Sequence, residues 1–545
     1  MDSGGIRTAK AFSEDEGAFM GQSSNLIIAL VVLGLQFPTV VFAANSGEVE
    51  QRPNVVLVLA DDLGFGDIEP NNSASRIPTP AFNRLAREGM RFTDAHTGSS
   101  VCTPTRYGLM CGRYAWRTRL KKGVLNGYSE PLIDEGQPTI ASLLHSAGYE
   151  TACIGKWHLG LGWRSKPDRP KKNGHFRDEE DRWVDYSQPI DDGPGENGFN
   201  YSYIIPASLD MSPYVYLENG SVTSVPNKVI EKRGFPQYLR TGEISDDFDH
   251  QASLGHLLEK AKGFIRRSAS RGKPFFLYFP MPAPHKPVIP MEQFQGKTSL
   301  GPYGDFVAQV DWTVGGIVDA LDKAGVAENT LLLVTSDNGS FMKRLPEEAG
   351  LPDHVDDDTV QGYSSKHHQA NGIFRGTKAD IYEAGHRVPF LVRWPGKIKS
   401  GVSNSSVICL TDILATVCEA ADVAVDSAHS EDSFSFLPSA LALPDRVYHR
   451  KRAVIHHSAA GVFAVRKGNW KLILGNGSGG RQLPKGKPFQ RPYQLYNLSL
   501  DPEEQIDLLR ENPAKVSQLE KEFALILGDE NPIPEFNPRQ DKDKK

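Results

Sequence analysis

Five short apolar runs punctuate the chain, each four to seven residues long and rich in β-branched or aromatic side chains. They are Asn54–Ala60 (NVVLVLA), Thr151–Ile154, Phe275–Phe279 (FFLYF), Leu331–Ser336 (LLLVTS) and Val388–Arg393 (VPFLVR). Continuous rather than alternating apolarity predicts strands buried on both faces. Polar residues gather at their ends: Asp61-Asp62 after the first, Gly155-Lys156-Trp157-His158 after the second, Pro284-His285 after the third and Asp337-Asn338 after the fourth. The fifth follows Lys378 and Glu383-Ala384-Gly385. Between the runs lie helical stripes. Phe306, Val310, Val314, Ile317 and Leu321 recur at three or four within Tyr303–Leu321, and Leu132–Ala147 carries Ile140, Leu143 and Leu144 before a Gly148 stop. Strands alternating with helices predict an α/β fold with a large, mainly parallel sheet sandwiched by helices. In such sheets ligands bind beyond the carboxyl ends of the strands, where these polar clusters fall.

After about residue 440 the pattern changes. Ala453–Ile455, Val462–Val465 and Trp470–Leu474 are short alternating runs, with Lys467-Gly468-Asn469 as a hairpin turn. A Gly/Lys/Pro loop over 475–490, a strand at Gln494–Tyr496 and a helix at Pro513–Leu527 follow. The expected division is a large α/β domain over 52–440, a smaller C-terminal antiparallel sheet with one helix over 441–533, and a disordered tail over 534–545. Residues 1–44 read as a leader. Leu26–Phe42 is charge-free and apolar and runs into Ala43-Ala44-Asn45, with small or aliphatic residues where a signal peptidase cuts. Export to a periplasmic, extracellular or lumenal space is the expectation, with membrane attachment only if the leader stays uncleaved. No other run is long or apolar enough to span a bilayer.

Composition narrows the classes. The 545 residues are 39% hydrophobic and 23% charged, which suits a globular chain with a sizeable core. The 61 Lys and Arg against 67 Asp and Glu give a net charge of −6, with no basic footprint for nucleic acid. Five cysteines show no C-x-x-C spacing, so a thiolate zinc site is not expected, and an odd count in an exported chain leaves at least one thiol without an internal partner. Arg164–Asn200 and Phe341–Gly372 read as long polar loops over the site edge, where specificity tends to reside. His367 and His368 read as surface residues and Trp157 as packing.

The candidate chemistry starts from the two acidic pairs. Asp61-Asp62 and Asp337-Asn338 each sit at a strand end, and hard oxygen donors without His or Cys suit Ca²⁺, or Mg²⁺. A single such pair would more often cap a helix or make a turn. Two of them, after two buried strands, favour a metal. Cys102 precedes Pro104 and Arg106 and then an apolar helix start. A free Cys is commonly a buried structural thiol. At a helix N-terminus, however, backbone N–H groups and the dipole stabilise an anion, and Arg106 adds a fixed cation one turn on.

Cys102-Thr-Pro-Thr-Arg106, continued to Gly112-Arg113, resembles the C-x-P-S-R signature of the type I sulfatases, within the alkaline phosphatase-like superfamily. Gly155-Lys156-Trp157-His158-Leu159-Gly160 resembles their second signature. The resemblance extends to Asn54–Gly66, Pro284-His285, Ser336–Gly339, Gly376–Pro389 and Leu495–Glu503, in the family's order, over about residues 52–530. Thr105 stands where the commonest signature has Ser, while the Cys, Pro and Arg read by the maturation enzyme are present.

The resemblance implies a sulfuric ester hydrolase in which Cys102 is oxidised to Cα-formylglycine (3-oxoalanine) by a formylglycine-generating partner enzyme. Asp61, Asp62, Asp337 and Asn338 would hold one Ca²⁺ that also contacts position 102. A hydrated formylglycine would attack the ester sulfur, with Arg106 and Lys156 stabilising the hydrate. His285 and Lys378 would hold the sulfate, His285 giving a proton to the leaving alcohol. His158 would take a proton from the second hydroxyl to expel sulfate. Ser208 would be a further residue of the substrate pocket, beside Lys156, His285 and Lys378. The implied substrate is a sulfated carbohydrate or aryl sulfate. Two alternatives stand beside it: a phosphate or phosphonate ester hydrolase of the same superfamily, and a non-catalytic binding protein if Cys102 is never oxidised.

Overall fold

The computed structural model describes residues 52–172, 174–235, 237–342, 367–441 and 452–528. The leader, the tail and the part of the second polar loop holding His354 and Asp356–Asp358 lie outside the described residues. Ten strands form one sheet: β1 (Asn54–Asp61), β2 (Met90–Phe92), β3 (Glu150–Lys156), β4 (Tyr201–Ile205), β5 (Leu217–Glu218), β6 (Ser221–Val222), β7 (Phe275–Pro284), β8 (Thr330–Ser336), β9 (Phe390–Arg393) and β10 (Val402–Asn404). Their order is β10-β2-β9-β8-β1-β7-β3-β4-β5-β6. The five central strands, β8-β1-β7-β3-β4, are all parallel.

Burial on both faces explains the unbroken apolar runs. Along β1, Val55, Leu57 and Leu59 enter one core while Val56, Val58 and Ala60 enter the other. Helices α4 (Ser253–Ser270) and α5 (Gly301–Lys323) cover the second core through Leu257, Phe264, Val310 and Ile317. Helices α2 (Cys102–Cys111), α3 (Ile140–Ser146) and α7 (Ile413–Ala420) cover the first through Met110, Ile140, Leu144 and Val417. Short helices α1 (Pro80–Glu88), α6 (Glu383–His386) and α8 (Leu437–Leu441) complete this part of the chain.

Two expectations need correction. The stripe over Leu132–Ala147 gives a helix only from Ile140, because Gly136 takes φ +80° and Pro138 follows it, and Thr139 then caps α3 by a reciprocal bond with Ser142. The fifth apolar run forms β9, but antiparallel to β8. Its N-terminal end therefore lies at the carboxyl edge of the central strands, which is how residues that precede it in sequence reach the site.

The C-terminal segment is a four-stranded antiparallel sheet of β11 (Val454–His457), β12 (Phe463–Lys467), β13 (Trp470–Leu474) and β14 (Gln494–Asn497). Lys467 pairs with Trp470 across the expected hairpin, where Gly468 supplies a φ of +56°. Helix α9 (Pro513–Leu527) lays Val516, Leu519 and Phe523 on Phe463 and Leu472. No helix among the described residues is long and apolar enough to cross a membrane.

Candidate active site

Four strand ends and one helix start converge. Asp61 closes β1, and Asp62 turns the chain at φ +68°. The N–H of Asp62 donates to Asp337 Oδ1 at 3.2 Å and the N–H of Leu63 to Ser336 Oγ at 2.9 Å, which ties the end of β1 to the end of β8. Asn338 Nδ2 donates to Asp62 Oδ1 at 2.6 Å. Carboxylate oxygens of Asp61, Asp62 and Asp337 all lie within 4.8 Å of one another, as do Asp61, the Cys102 sulfur and His285. Each of these side chains is buried.

Three buried cations face the three carboxylates. Lys156 Nζ lies 2.7 Å from Asp61 Oδ2, and Lys378 Nζ lies 2.6 Å from Asp62 Oδ1 and 3.7 Å from Cys102 Sγ. Arg106 donates to Asp337 Oδ2 from Nε at 2.9 Å and from Nη2 at 2.7 Å, and its Nη1 donates to the Lys156 carbonyl at 3.0 Å. Helix α2 begins at Cys102, as the Pro104 and Arg106 spacing predicts. Burial pushes the Cys102 thiol up against the pull of Lys156 and Lys378, so the unmodified residue is a protonated thiol at neutral pH.

The donor set fits a hard divalent cation. Burial pushes Asp61 up, but Lys156, His285, Arg106 and Lys378 together outweigh it and hold the carboxyl well below the usual range. Burial and the Asp61 charge instead raise Asp62, and they push Asp337 up to about 6. Three crowded carboxylates thus oppose one another's ionisation, which a metal would relieve. Two buried oxygens of this cluster's residues, Asp61 Oδ1 and Asn338 Oδ1, have no hydrogen-bond partner among the described residues. The three acids balance the three cations, so a divalent ion would leave the cluster positive and attractive to an anionic ester.

A family model described as Sulfatase matches residues 53–423. The chain belongs to the sulfatase family. It is 32% identical to an N-acetylgalactosamine-6-O-sulfatase of Bacteroides thetaiotaomicron over 87% of this chain and 93% of that protein. It is 30% identical to the N-acetylgalactosamine-6-sulfatase of Rattus norvegicus over 78% and 72% respectively. A solved Bacteroides thetaiotaomicron structure, from work on glycosaminoglycan metabolism, superposes with a TM-score of 0.73 at 30% identity, covering 87% of this chain and 99% of that one. This sulfatase is a sulfuric ester hydrolase.

Both predicted histidines of the sulfatase are buried. His285 Nε2 is 3.7 Å from Asp62 Oδ2, and its Nδ1–H donates to the Lys286 carbonyl at 2.6 Å. His158 takes φ +57°, and its Nε2–H donates to the Leu125 carbonyl at 2.8 Å, leaving Nδ1 as a buried lone pair without a partner among the described residues. These tautomers are assigned from the hydrogen-bond network. Burial, then the neighbouring lysines, hold both imidazoles well below their ordinary range, so both are neutral. Ser208 lies beyond β4 with its Oγ buried and unbonded among the described residues.

Sequence reading missed Asp210, two residues on, whose Oδ1 is 3.8 Å from His285 Nδ1 and has no hydrogen-bond partner among the described residues. A lone Asp in an irregular stretch carries no signal. His368 is a correction: it is buried, not a surface residue, with Nε2 2.8 Å from Asp67 Oδ1. Trp157 packs as expected, edge-on to Phe199, with Nε1–H donating to the Gly160 carbonyl.

Proposed function

We propose that this sulfatase acts with a formylglycine made from Cys102 and one Ca²⁺ held by Asp61, Asp62, Asp337 and Asn338, and that its substrate is a sulfated sugar, of the 6-sulfated N-acetylgalactosamine class. The observation that carries this is the convergence on Cys102 of a buried acidic cluster and the Lys378 ammonium at 3.7 Å. The names of the relatives at 30% identity and above support the sugar class.

Oxidised and hydrated, residue 102 would supply the attacking oxygen that a buried, protonated thiol does not. Ca²⁺ held by Asp61, Asp62, Asp337 and Asn338 would supply Lewis-acid chemistry. The chain's own groups do the rest. Lys156, Lys378 and Arg106 hold fixed positive charge around position 102, where negative charge accumulates on the equatorial oxygens in the transition state. Arg106, clamped by Asp337, keeps the first turn of α2 in place. His285, at the Asp62 side, takes up a proton from solvent at Nε2 as the anionic ester binds and gives it to the leaving alcohol, and Lys378 and His285 hold the sulfate. His158, with Nδ1 free of hydrogen, accepts a proton in the step that frees sulfate. Ser208 lines the sugar side. The maturation enzyme is a required partner, and export follows from the leader.

The test has two parts. Peptide mass spectrometry of the tryptic fragment Phe92–Arg106 reports whether residue 102 carries an aldehyde. Sulfate release is then measured on 6-sulfated N-acetylgalactosamine, its 4-sulfated isomer, an aryl sulfate and the matching aryl phosphate. An alkylatable thiol at residue 102 in active protein, or preference for the phosphate, would overturn the proposal.

A further inference from the structure

A buried polar network outside the site joins the C-terminal sheet to the catalytic edge. Glu383 and His386, on the four-residue helix α6, are fully buried, as are His96, His456, Lys471 and Glu504. Lys471, on β13, lies 3.1 Å from Glu383 Oε1 and 2.8 Å from Glu504 Oε1. Arg466, on β12, lies 3.2 Å from Glu383 Oε2 and 2.7 Å from Asp94 Oδ2. Burial works against the Glu383 carboxylate, but Lys471, His96 and Arg466 outweigh it and keep Glu383 ionised.

Three imidazoles in one cluster, His96, His386 and His456, invite a metal reading. Their geometry argues for a hydrogen-bond chain instead. His96 Nε2 lies 2.6 Å from Asp94 Oδ1 and 3.0 Å from Arg466 Nη1, and His96 Nδ1 lies 3.1 Å from His386 Nδ1. His386 Nε2 lies 2.9 Å from Lys471 Nζ and 3.2 Å from the Ile381 carbonyl. Lys471, His386, His96 and Asp94 thus form one continuous hydrogen-bonded chain. His456 stacks on His386 at 3.8 Å and 8°, so the two ring planes do not converge on a common ion.

What this network holds is the catalytic edge. The His386 carbonyl accepts from Thr97 N at 2.8 Å, five residues before Cys102, and His456 Nδ1–H donates to the Thr97 carbonyl at 2.8 Å. The Gly385 carbonyl accepts from Gly339 N at 3.1 Å, next to Asn338. A Cβ at Gly339 would sit 1.7 Å from the Ala384 carbonyl, and one at Gly385 would sit 3.0 Å from Ser100 Cβ, so these backbones touch. The Ser100 carbonyl accepts from Ala379 N at 2.8 Å, next to Lys378. The segments carrying Cys102, Asn338 and Lys378 therefore all rest on, or one contact away from, α6.

We infer that Lys471 and Glu383 are positioning residues of the sulfatase reaction, through which the C-terminal sheet sets the register of Cys102, Asn338 and Lys378. The inference rests on the proposed role of residue 102. Neither residue touches the reacting atoms. Their loss lets α6 shift, and a misplacement on the order of 1 Å costs about a hundredfold in rate.

The test compares Lys471→Met, Glu383→Gln and the double variant with wild type, each normalised to the aldehyde content at residue 102. Lys467→Met serves as control, since Lys467, on β12 of the same sheet, pairs instead with Glu522 of α9. Assays on the ester that wild type hydrolyses best are run well below each Tm. Each single variant should lower kcat at least about 20-fold with KM held within about threefold, and the double should lose less than the product of the two. The control should lose stability alone. If Lys471→Met does not fold, Glu383→Gln, which keeps size and an acceptor oxygen, carries the same expectation. A folded variant of either residue with kcat within about threefold of wild type overturns the inference while the proposed function stands. A converted but inactive wild type overturns both.

Discussion

The ammonium of Lys378 bridges two centres, at 2.6 Å from Asp62 Oδ1 and 3.7 Å from Cys102 Sγ. Burial works against its charge, but Asp62, Cys102 and Asp61 more than offset that and hold Lys378 well above the usual range. It therefore stays charged through any working pH, as an electrostatic group rather than a proton donor. Lys378→Met should lower kcat/KM by about 10²–10³, the effect of removing one preorganised donor from a developing oxyanion. Asp62 keeps Asn338 as a partner, so the variant should still fold. Steady-state kinetics beside a thermal melt decide this, and an intact melt with unchanged kcat/KM would remove Lys378 from the mechanism.

Arg106 makes a different prediction, because its fork holds structure as well as charge. Two donors meet Asp337 Oδ2 and a third meets the Lys156 carbonyl. Lys cannot reproduce that planar geometry. Arg106→Gln strips the buried Asp337 of its ion pair and should cost about 3–5 kcal/mol of stability. Urea unfolding measures it, and a loss below about 1 kcal/mol would show the pair to be dispensable.

Much of this site was legible in the sequence because the chemistry sits where buried strands end. Asp61-Asp62, Lys156, His285 and Asp337-Asn338 follow runs whose burial on both faces left no alternative to a central parallel sheet. What escaped reading is long-range and geometric. β9 runs antiparallel, so nothing in its composition set its direction. Lys471, Glu383 and Asp94 are separated by up to 377 positions and meet only where the C-terminal sheet packs on α6 and on the segment after β2. Asp210 and His368 are single polar residues whose burial depends on loops, and loops carry no period.

The acidic cluster predicts a metal-linked stability. If Asp61, Asp62, Asp337 and Asn338 hold Ca²⁺ in the folded state alone, titrating Ca²⁺ into chelator-treated protein should raise stability. The gain should reach about 2.7 kcal/mol at a hundredfold excess over Kd. Asn338→Ala removes a neutral donor whose Oδ1 is unbonded among the described residues, and should shift the titration to higher Ca²⁺ without adding charge repulsion. A melting temperature that ignores Ca²⁺ in wild type would rule out the site.

One part of the pH dependence of stability belongs to a histidine outside the acidic cluster. His457, on β11, is fully buried, with Nδ1–H donating to the Ser458 carbonyl at 3.2 Å and Nε2 without a partner among the described residues. Burial brings its imidazole from 6.5 down to about 4. Above pH 6.5 neither folded nor unfolded chain binds this proton. Between 6.5 and 4 the unfolded chain binds it and the folded chain does not, so stability falls as pH falls. By pH 4.5 the loss from this residue is about 3 kcal/mol, at 1.36 kcal/mol per pH unit. His457→Gln cannot take up the proton, while His158 and His285 titrate alike in both proteins and cancel. Urea unfolding from pH 7.5 to 4.5 should therefore show wild type losing about 3 kcal/mol relative to the variant, all of it below pH 6.5. Parallel curves for the two proteins would mean that the His457 imidazole takes its proton inside the folded sheet.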